Sequence, residues 1–184
     1  MATGALSSTL LPVAPAEAQL PDATALDARR STIEMRVNGV PSRVEVANNA
    51  TLLEVLRSEM KLTGAKMGCD RAMCGACTVI ANGRAIYACT ALAVDMAGAE
   101  VTTIEGLATG DRLHPIQQAY VQESGYQCGF CTSGQIMATK ALLDKVPRPT
   151  EEQARVAMSG NLCRCAAYKR ILQSVMTASR LMQA

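Results

Sequence analysis

The sequence has few aromatic residues and little excess charge of either sign. Its 184 residues contain one Phe, no Trp and a single His, and the formal net charge is +2. Without a basic run or aromatic side chains for base stacking, nucleic-acid binding is disfavoured. No apolar stretch approaches the roughly 18–20 residues that span a bilayer, so no transmembrane segment is predicted. Because 49% of the residues are apolar, the chain can build a core from Leu, Ile, Val, Ala and Met.

The sequence also lacks the patterns of a hydrolytic or phosphoryl-transfer site. It contains no nucleophile paired with a base, no phosphate-binding glycine loop and no carboxylate pair. The single histidine, His114, precedes a proline at a predicted helix start, where a capping or exposed side chain is expected rather than a base or a ligand. No catalytic residue is predicted, and the eight cysteines remain as the candidate functional residues.

The first four cysteines follow a C-x4-C-x2-C-x11-C spacing. Three of them lie too close together for a regular strand or helix, so they must lie on a loop around a group that takes several sulfurs. Plant-type ferredoxins use this spacing to hold a 2Fe–2S cluster with four thiolates. Such a cluster is anionic and needs nearby N–H groups, and Gly68 and Gly75 allow the close approach this requires. The predicted ligands are Cys69, Cys74, Cys77 and Cys89.

A predicted hairpin explains the position of the fourth ligand. Residues 78–81 and 84–87 flank Asn82-Gly83, which is the strongest short hairpin signal. Pairing across this turn sets Thr78 opposite Tyr87, so Cys89 returns to within one residue of Cys77.

The last four cysteines form a C-x2-C pair and a C-x-C pair with 31 residues between them. Thr132 and Ser133 can cap the helix expected after the first pair, and the second pair leads into a helix at Tyr168. Helix N-termini present unpaired N–H groups and a partial positive charge, which suits an anionic cluster. The predicted ligands are Cys128, Cys131, Cys163 and Cys165.

Disulfides and structural zinc are the alternatives for these cysteines. The cysteine content is below the ~8–10% of a disulfide scaffold, and four cysteines within 21 residues are poor disulfide geometry. Zinc sites of four cysteines usually consist of two C-x2–4-C knuckles, and neither set has that form. Both patterns favour iron–sulfur clusters.

The first part of the chain predicts a flexible arm followed by a small α+β domain. Residues 1–30 are predicted to be a flexible arm or the remnant of an export signal. The sequence as written predicts a cytoplasmic protein. An upstream start that adds a twin-arginine signal would instead make the protein periplasmic. Strands are predicted at 32–37, 43–46 and 100–104. A capping box at Thr51 opens a helix with Leu52, Leu53, Leu56 and Met60 at helical spacing. Residues 31–107 are the predicted ferredoxin-like domain, of β-grasp type.

The second part changes to a helical period. Helices are predicted at 115–123, at 132–146, from the capping box at Thr150, and at 168–182, the last with Ile171, Leu172, Val175, Met176 and Met182 on one side. Short connections between short helices indicate a four-helix bundle. Residues 112–184 are therefore the predicted helical 2Fe–2S domain.

The motifs around the cysteines resemble one family. Segments 69–79, 127–134 and 160–168 are similar to the small iron–sulfur subunit of the xanthine oxidase (molybdenum hydroxylase) family, and the likeness covers roughly residues 32–180. All eight cysteines match in order and spacing. Within this family, the sequence looks most like the small subunits of bacterial aldehyde oxidoreductases. Two departures are Ala72 and Ala167, at positions where the family often has glycine.

The resemblance implies cofactors and partners beyond this chain. A large subunit would hold a molybdenum–pterin (molybdopterin) cofactor, and a medium subunit would hold FAD. The cluster of the last four cysteines would lie nearest the pterin, and that of the first four towards FAD. Gln127 and the sulfur of Cys165 match positions that contact the pterin.

The expected function is electron transfer in a molybdenum hydroxylase, with two 2Fe–2S clusters relaying electrons during oxidation of aldehydes or N-heterocycles. The competing hypotheses are a free-standing ferredoxin without a catalytic partner and a zinc-stapled interaction module. The substrate pocket lies outside this chain, so neither the substrate nor the final electron acceptor is predicted.

Overall fold

The computed structural model describes residues 29–183. Apart from its last two residues, the predicted arm or export-signal remnant lies outside the described residues. The described chain is a mixed α/β fold, which confirms the α+β prediction at that level. No helix within 29–183 has the length and apolarity needed to cross a membrane.

Five strands form one mixed sheet in the order β2-β1-β5-β3-β4. β5 runs parallel to β1 and antiparallel to β3. The strands are β1 (Arg30–Val37), β2 (Val40–Ala47), β3 (Thr78–Ala81), β4 (Arg84–Tyr87) and β5 (Glu100–Thr102).

Both hairpins form at the predicted turns. Asn82 and Gly83 have φ of 48° and 74°, the positive values that a two-residue primed turn requires. Thr78 pairs with Tyr87 as predicted. The first hairpin is longer than predicted, because Arg30 still pairs with Ala47.

β5 is shorter than predicted. It ends at Thr102, because the chain turns into a 3₁₀ helix at Ile104–Gly106.

The helix after β2 begins as predicted but does not continue as a regular α-helix. Thr51 and Glu54 form the capping box at the start of α1 (Leu52–Glu54). The chain then continues as a π-helix over Val55–Glu59. Leu52, Leu53 and Leu56 are fully buried and fill the core beneath the sheet, so the change of helix type keeps the predicted apolar face inside.

Four helices follow the sheet, with bounds close to those predicted. Thr150 and Gln153 form the predicted capping box. Met182, predicted on the apolar face of the last helix, is instead 39% exposed because the helix ends one residue before it. The helices are α2 (Pro115–Gln122), α3 (Thr132–Lys145), α4 (Glu151–Met158) and α5 (Tyr168–Leu181).

The apolar side chains form two cores that meet along α3. One core is built from residues 33–101; the other takes its residues from 107–178 together with Ile80 of β3. At the junction a Cβ on Gly134 would lie 2.2 Å from the carbonyl oxygen of Gly75. Only glycine therefore permits α3 to approach the first cysteine loop this closely.

Candidate metal centres

The first cysteine set lies on the loop before β3 and at the far end of the hairpin. Cys77 immediately precedes β3 and Cys89 follows β4, and the N–H of Ala88 donates to the carbonyl of Cys77 at 3.3 Å. The thiols of Cys77 and Cys89 come within hydrogen-bonding reach, as do those of Cys69 and Cys74. The hairpin thus brings the distant fourth cysteine back to the other three.

Backbone N–H groups of the loop point at these sulfurs. Ala72 N–H donates to Cys89 Sγ at 3.4 Å, and Met73 N–H donates to Cys69 Sγ at 3.3 Å. Gly75, with φ +70°, supplies a turn that side-chain-bearing residues rarely adopt. The loop is therefore folded as a nest of donors around the thiols, an arrangement that favours an anionic group.

The thiols of the first set differ in acidity. The Met73 N–H, followed by that of Arg71, lowers the pKa of Cys69 to about 7. Burial raises the pKa of Cys77 to about 12. A buried thiolate is therefore stable here only with a positive partner, and a metal ion bound to sulfur is such a partner.

The second cysteine set lies where two helices begin. Cys131 is the residue before α3, and Cys163 and Cys165 precede α5. The thiols of Cys128 and Cys165 contact each other, and so do those of Cys131 and Cys163. Burial raises the pKa of Cys131 to about 12, while the Phe130 N–H lowers that of exposed Cys128.

The prediction that Thr132 and Ser133 cap α3 is wrong, since neither hydroxyl makes a capping hydrogen bond. Thr132 Oγ1, Ser133 Oγ and Gln135 Oε1 are instead buried without a partner among residues 29–183. Leaving a buried polar group unpaired costs roughly 1–3 kcal/mol. These orphaned atoms lie within four residues of Cys131, where an additional polar group would satisfy them.

In both sets the thiols come in pairs. Within 29–183, no three His, Cys, Asp or Glu side chains converge as ligands of one metal ion. A 2Fe–2S cluster takes four thiolates, two on each of its irons. The paired thiols, the N–H donors and the unpaired hydroxyls of Thr132 and Ser133, which can donate, fit such a group.

Direct hydrogen bonds join the two cysteine loops. Leu162 N–H donates to the Cys74 carbonyl at 2.9 Å. The buried Asn161 side chain donates to Gly75 O at 2.9 Å and to Thr78 Oγ1 at 3.1 Å. Gln135 Nε2 in turn donates to Asn161 O at 2.9 Å. We call Gln135, Asn161 and Gly75 the interloop clasp.

A cavity of about 590 Å³ lies between the loops and contains cysteines of both sets. The exposed Phe130 and Leu162 form part of its rim. The cysteines that line it are Cys69, Cys74, Cys128, Cys131 and Cys163.

Two sequence models cover nearly all of the described chain. Residues 35–103 match the 2Fe-2S iron-sulfur cluster binding domain, and residues 103–176 match the 2Fe-2S binding domain. The aldehyde oxidoreductase iron-sulfur-binding subunit PaoA of Escherichia coli (strain K12) is 44% identical, over 80% of this chain and 71% of the relative. The nicotinate dehydrogenase small FeS subunit of Eubacterium barkeri is 43% identical, over 78% of this chain and 92% of the relative. The chain belongs to the iron–sulfur subunits of the molybdenum hydroxylase (xanthine oxidase) family.

Solved structures agree with this assignment. The iron–sulfur subunit superposes on a chain of quinoline 2-oxidoreductase from Pseudomonas putida 86 with a TM-score of 0.80 and 33% identity, covering 85% of this chain and 98% of that one. It also matches aldehyde oxidoreductase from Desulfovibrio gigas with a TM-score of 0.80 and 40% identity. There it covers 83% of this chain but only 17% of the longer one.

The remaining predicted residues of the iron–sulfur subunit are placed as follows. Gln127 is exposed next to Cys128, and Cys165 is partly buried. The prediction that His114 is a cap is confirmed, because its Nδ1 accepts the Ile116 N–H at 3.2 Å.

Sequence reasoning missed two residues of the iron–sulfur subunit, Asn161 in the clasp and the hydroxyl of Tyr168. Both lie in segment 160–168, which resembles the family, but nothing in that resemblance assigned either residue a role.

Proposed function

We propose that this chain is the electron-transfer subunit of a molybdenum hydroxylase, relaying electrons from a molybdopterin site on a large subunit towards FAD or another acceptor. The observation that carries the proposal is the hydrogen bond from Leu162 N–H to the Cys74 carbonyl. It joins the loops of two cysteine sets, each of which pairs its thiols as a 2Fe–2S cluster requires.

We assign Cys69, Cys74, Cys77 and Cys89 as ligands of one cluster and Cys128, Cys131, Cys163 and Cys165 as ligands of the other. When bound, each cluster supplies a centre that accepts and releases one electron at a time. The paired contacts within each set support this division. Residues 31–107 and 112–184 would then be a β-grasp ferredoxin-like domain and a four-helix cluster-binding domain, each with its own core.

The protein's own groups prepare these positions. Cys77, Cys89 and Cys163 are buried, which keeps water from the sulfurs and lowers the local dielectric. The N–H groups of Ala72 and Met73 already point at Sγ atoms. Because these donors are held by the loop before any charge arrives, little reorganisation accompanies a change of charge.

The family resemblance supports a direction of transfer, and exposure is compatible with it. Gln127 and Cys128 are exposed at one end, where a large subunit can bring its pterin against Gln127 and Cys165. The first set would then face the flavin subunit. The Leu162–Cys74 hydrogen bond is a direct connection between the two loops and would lie on the route.

Aldehydes or N-heterocycles are the proposed substrate class of the whole enzyme. The relatives' names refer to aldehyde, nicotinate, isoquinoline and quinoline. The substrate itself would bind on the large subunit.

Iron analysis and EPR of the native complex test the proposal. We expect four irons per chain and two distinguishable 2Fe–2S signals on reduction, from two clusters of two irons each. Cys77→Ser and Cys131→Ser replace a buried and a partly buried thiol, one from each set. Each variant should lose half of the iron and one signal, leaving the other signal intact.

Two results would contradict the proposal. A colourless, iron-free native protein would instead favour zinc or disulfides. A lone species of about 19.4 kDa on gel filtration of the native material would favour a free-standing carrier.

A further inference from the structure

Tyr168 places a phenol group against the second cysteine set. It is the first residue of α5, and its hydroxyl oxygen accepts the Cys163 N–H at 2.9 Å. Its side chain lines the same cavity as Cys128, Cys131 and Cys163. The hydroxyl is therefore held beside these thiols by a bond to the backbone of one of them.

The hydroxyl hydrogen of Tyr168 is available for donation. A phenol oxygen that accepts a hydrogen bond keeps its own hydrogen. Tyr168 is 49% exposed, and no group among residues 29–183 accepts this hydrogen, whereas the Tyr87 hydroxyl donates to Gly160 O at 2.8 Å. The thiol sulfurs that line the shared cavity are able to accept it.

We propose that Tyr168 tunes the redox potential of the group held by the second cysteine set, by donating an O–H···S hydrogen bond to it. The inference rests on the proposed function, because it needs a cluster at these thiols. Reduction adds negative charge, and a donor interacts more strongly with the more negative form. Tyr168 should therefore stabilise the reduced form and raise the potential.

The test is an EPR-monitored redox titration of the native complex carrying Tyr168→Phe. One hydrogen bond typically shifts an equilibrium about fivefold. For a one-electron couple, a tenfold change in the equilibrium constant corresponds to 59 mV. The fivefold change should therefore lower the midpoint potential of the group at the second cysteine set by about 40 mV. The other 2Fe–2S signal should keep its potential.

Tyr126→Phe is the matched control. Tyr126 is similarly exposed and lies two residues from Cys128, but it does not line the cavity. Both potentials should be unchanged in this variant.

A second variant separates donation from a structural effect. Tyr168→Phe also frees the Cys163 N–H and can weaken iron retention, whereas 3-fluorotyrosine at position 168 keeps the shape and makes the hydroxyl a stronger donor. Fluorotyrosine should raise the same potential that phenylalanine lowers. If Tyr168→Phe loses iron, the test depends on whether fluorotyrosine raises the potential.

Unchanged potentials in fully loaded variants, or shifts of the same sign for both, would overturn the role of Tyr168. That outcome is distinct from failure of the proposed function, in which the unmodified complex would itself lack four irons or the two signals.

Discussion

Among single residues, three of the seven non-glycine residues with positive φ within 29–183 lie within two positions of a proposed ligand. Ala72 has φ +53° and Ala166 has φ +57°, in a region that costs an L-residue roughly 1–2 kcal/mol. Glycine, which the family often has at the position of Ala72, would relieve that cost. Ala167, the other departure from the family pattern, has an ordinary φ of −73°. Of the two departures, only Ala72 therefore bears a local penalty.

His114 makes the stability of α2 depend on pH. Its Nδ1 accepts the Ile116 N–H, which requires an unprotonated nitrogen. Burial, followed by the charge of Lys140, lowers the pKa of His114 from its ordinary 6.5. Because the unfolded chain binds this proton more readily, the cap stabilises the fold fully above pH 6.5 and is lost as the pH falls through the folded-state pKa.

We expect the free energy of unfolding of the native protein to fall by about 1 kcal/mol, the usual contribution of a cap, on acidification below the His114 pKa. Denaturant titrations over a pH series measure this change. His114→Asn supplies a cap that does not titrate, so this component should vanish in the variant. An identical pH profile for both proteins would refute the assignment.

At the scale of elements, the β3–β4 hairpin brings Cys89 to the other cysteines of the first proposed ligand set. Its turn depends on Gly83, at φ +74°, and a Cβ there would meet nothing within 4 Å. A substitution therefore adds backbone strain without a clash. Such strain acts directly on the element that holds Cys77 and Cys89 together.

Gly83→Val should release iron from the first set faster by about tenfold, since the strain of roughly 1–2 kcal/mol favours opening of the hairpin. The rate of iron release is measured by transfer of iron to a chelator, and the loss of each EPR signal shows which set the iron leaves. Gly98→Val is matched, because Gly98 has φ +75° and is equally unobstructed, but it closes no ligand set. Equal release from both variants would show that the effect is general destabilisation.

The start of α3 shows how an element can form without its expected cap. Thr132 and Ser133 have the residue types of N-caps, yet the helix begins at Thr132 and its N-cap residue, Cys131, makes no side-chain cap. Their hydroxyls are buried and unpaired among the described residues. The position of α3 is set by packing against β3 and the first cysteine loop, which overrides the local preference.

For the whole molecule, the interloop clasp connects the two cores through buried hydrogen bonds. Asn161 is 5% exposed and Gln135 is 1% exposed, so their hydrogen bonds are shielded from water. A Cβ on Gly75 would lie 2.7 Å from Gly160 O, which leaves no room for another residue in the junction. We therefore expect each core to limit the motion of the other's cysteine loop.

We expect both cluster signals of the native protein to disappear in a single thermal transition. Asn161→Leu removes the donors to Gly75 and Thr78 at a cost of roughly 1–3 kcal/mol, so the two signals should then be lost at separate temperatures. Temperature-dependent EPR after quenching measures both signals. Asn49→Leu, at an exposed position, should keep the single transition; a single transition in Asn161→Leu would exclude the coupling.

Much of the fold could be predicted because its signals are local. Asn38-Gly39 and Asn82-Gly83 form the predicted turns, and the capping boxes at Thr51 and Thr150 begin the predicted helices. In each case the decisive hydrogen bonds or φ values belong to residues within a few positions of one another. The π-helix at Val55–Glu59 escaped prediction, because an apolar spacing does not distinguish it from a regular helix.

The sequence by itself determined the two cysteine sets, the hairpin that returns Cys89 to Cys77, and the family. Only the tertiary structure decided that Asn161 bonds to Gly75, 86 residues away, and that the Leu162 N–H donates to the Cys74 carbonyl. Turns and caps depend on the geometry of neighbouring peptides, whereas contacts between distant loops exist only after two cores have packed together. The spacing of the cysteines therefore indicates the chemistry, and the packing of α3 against the first loop sets how the two sites are joined.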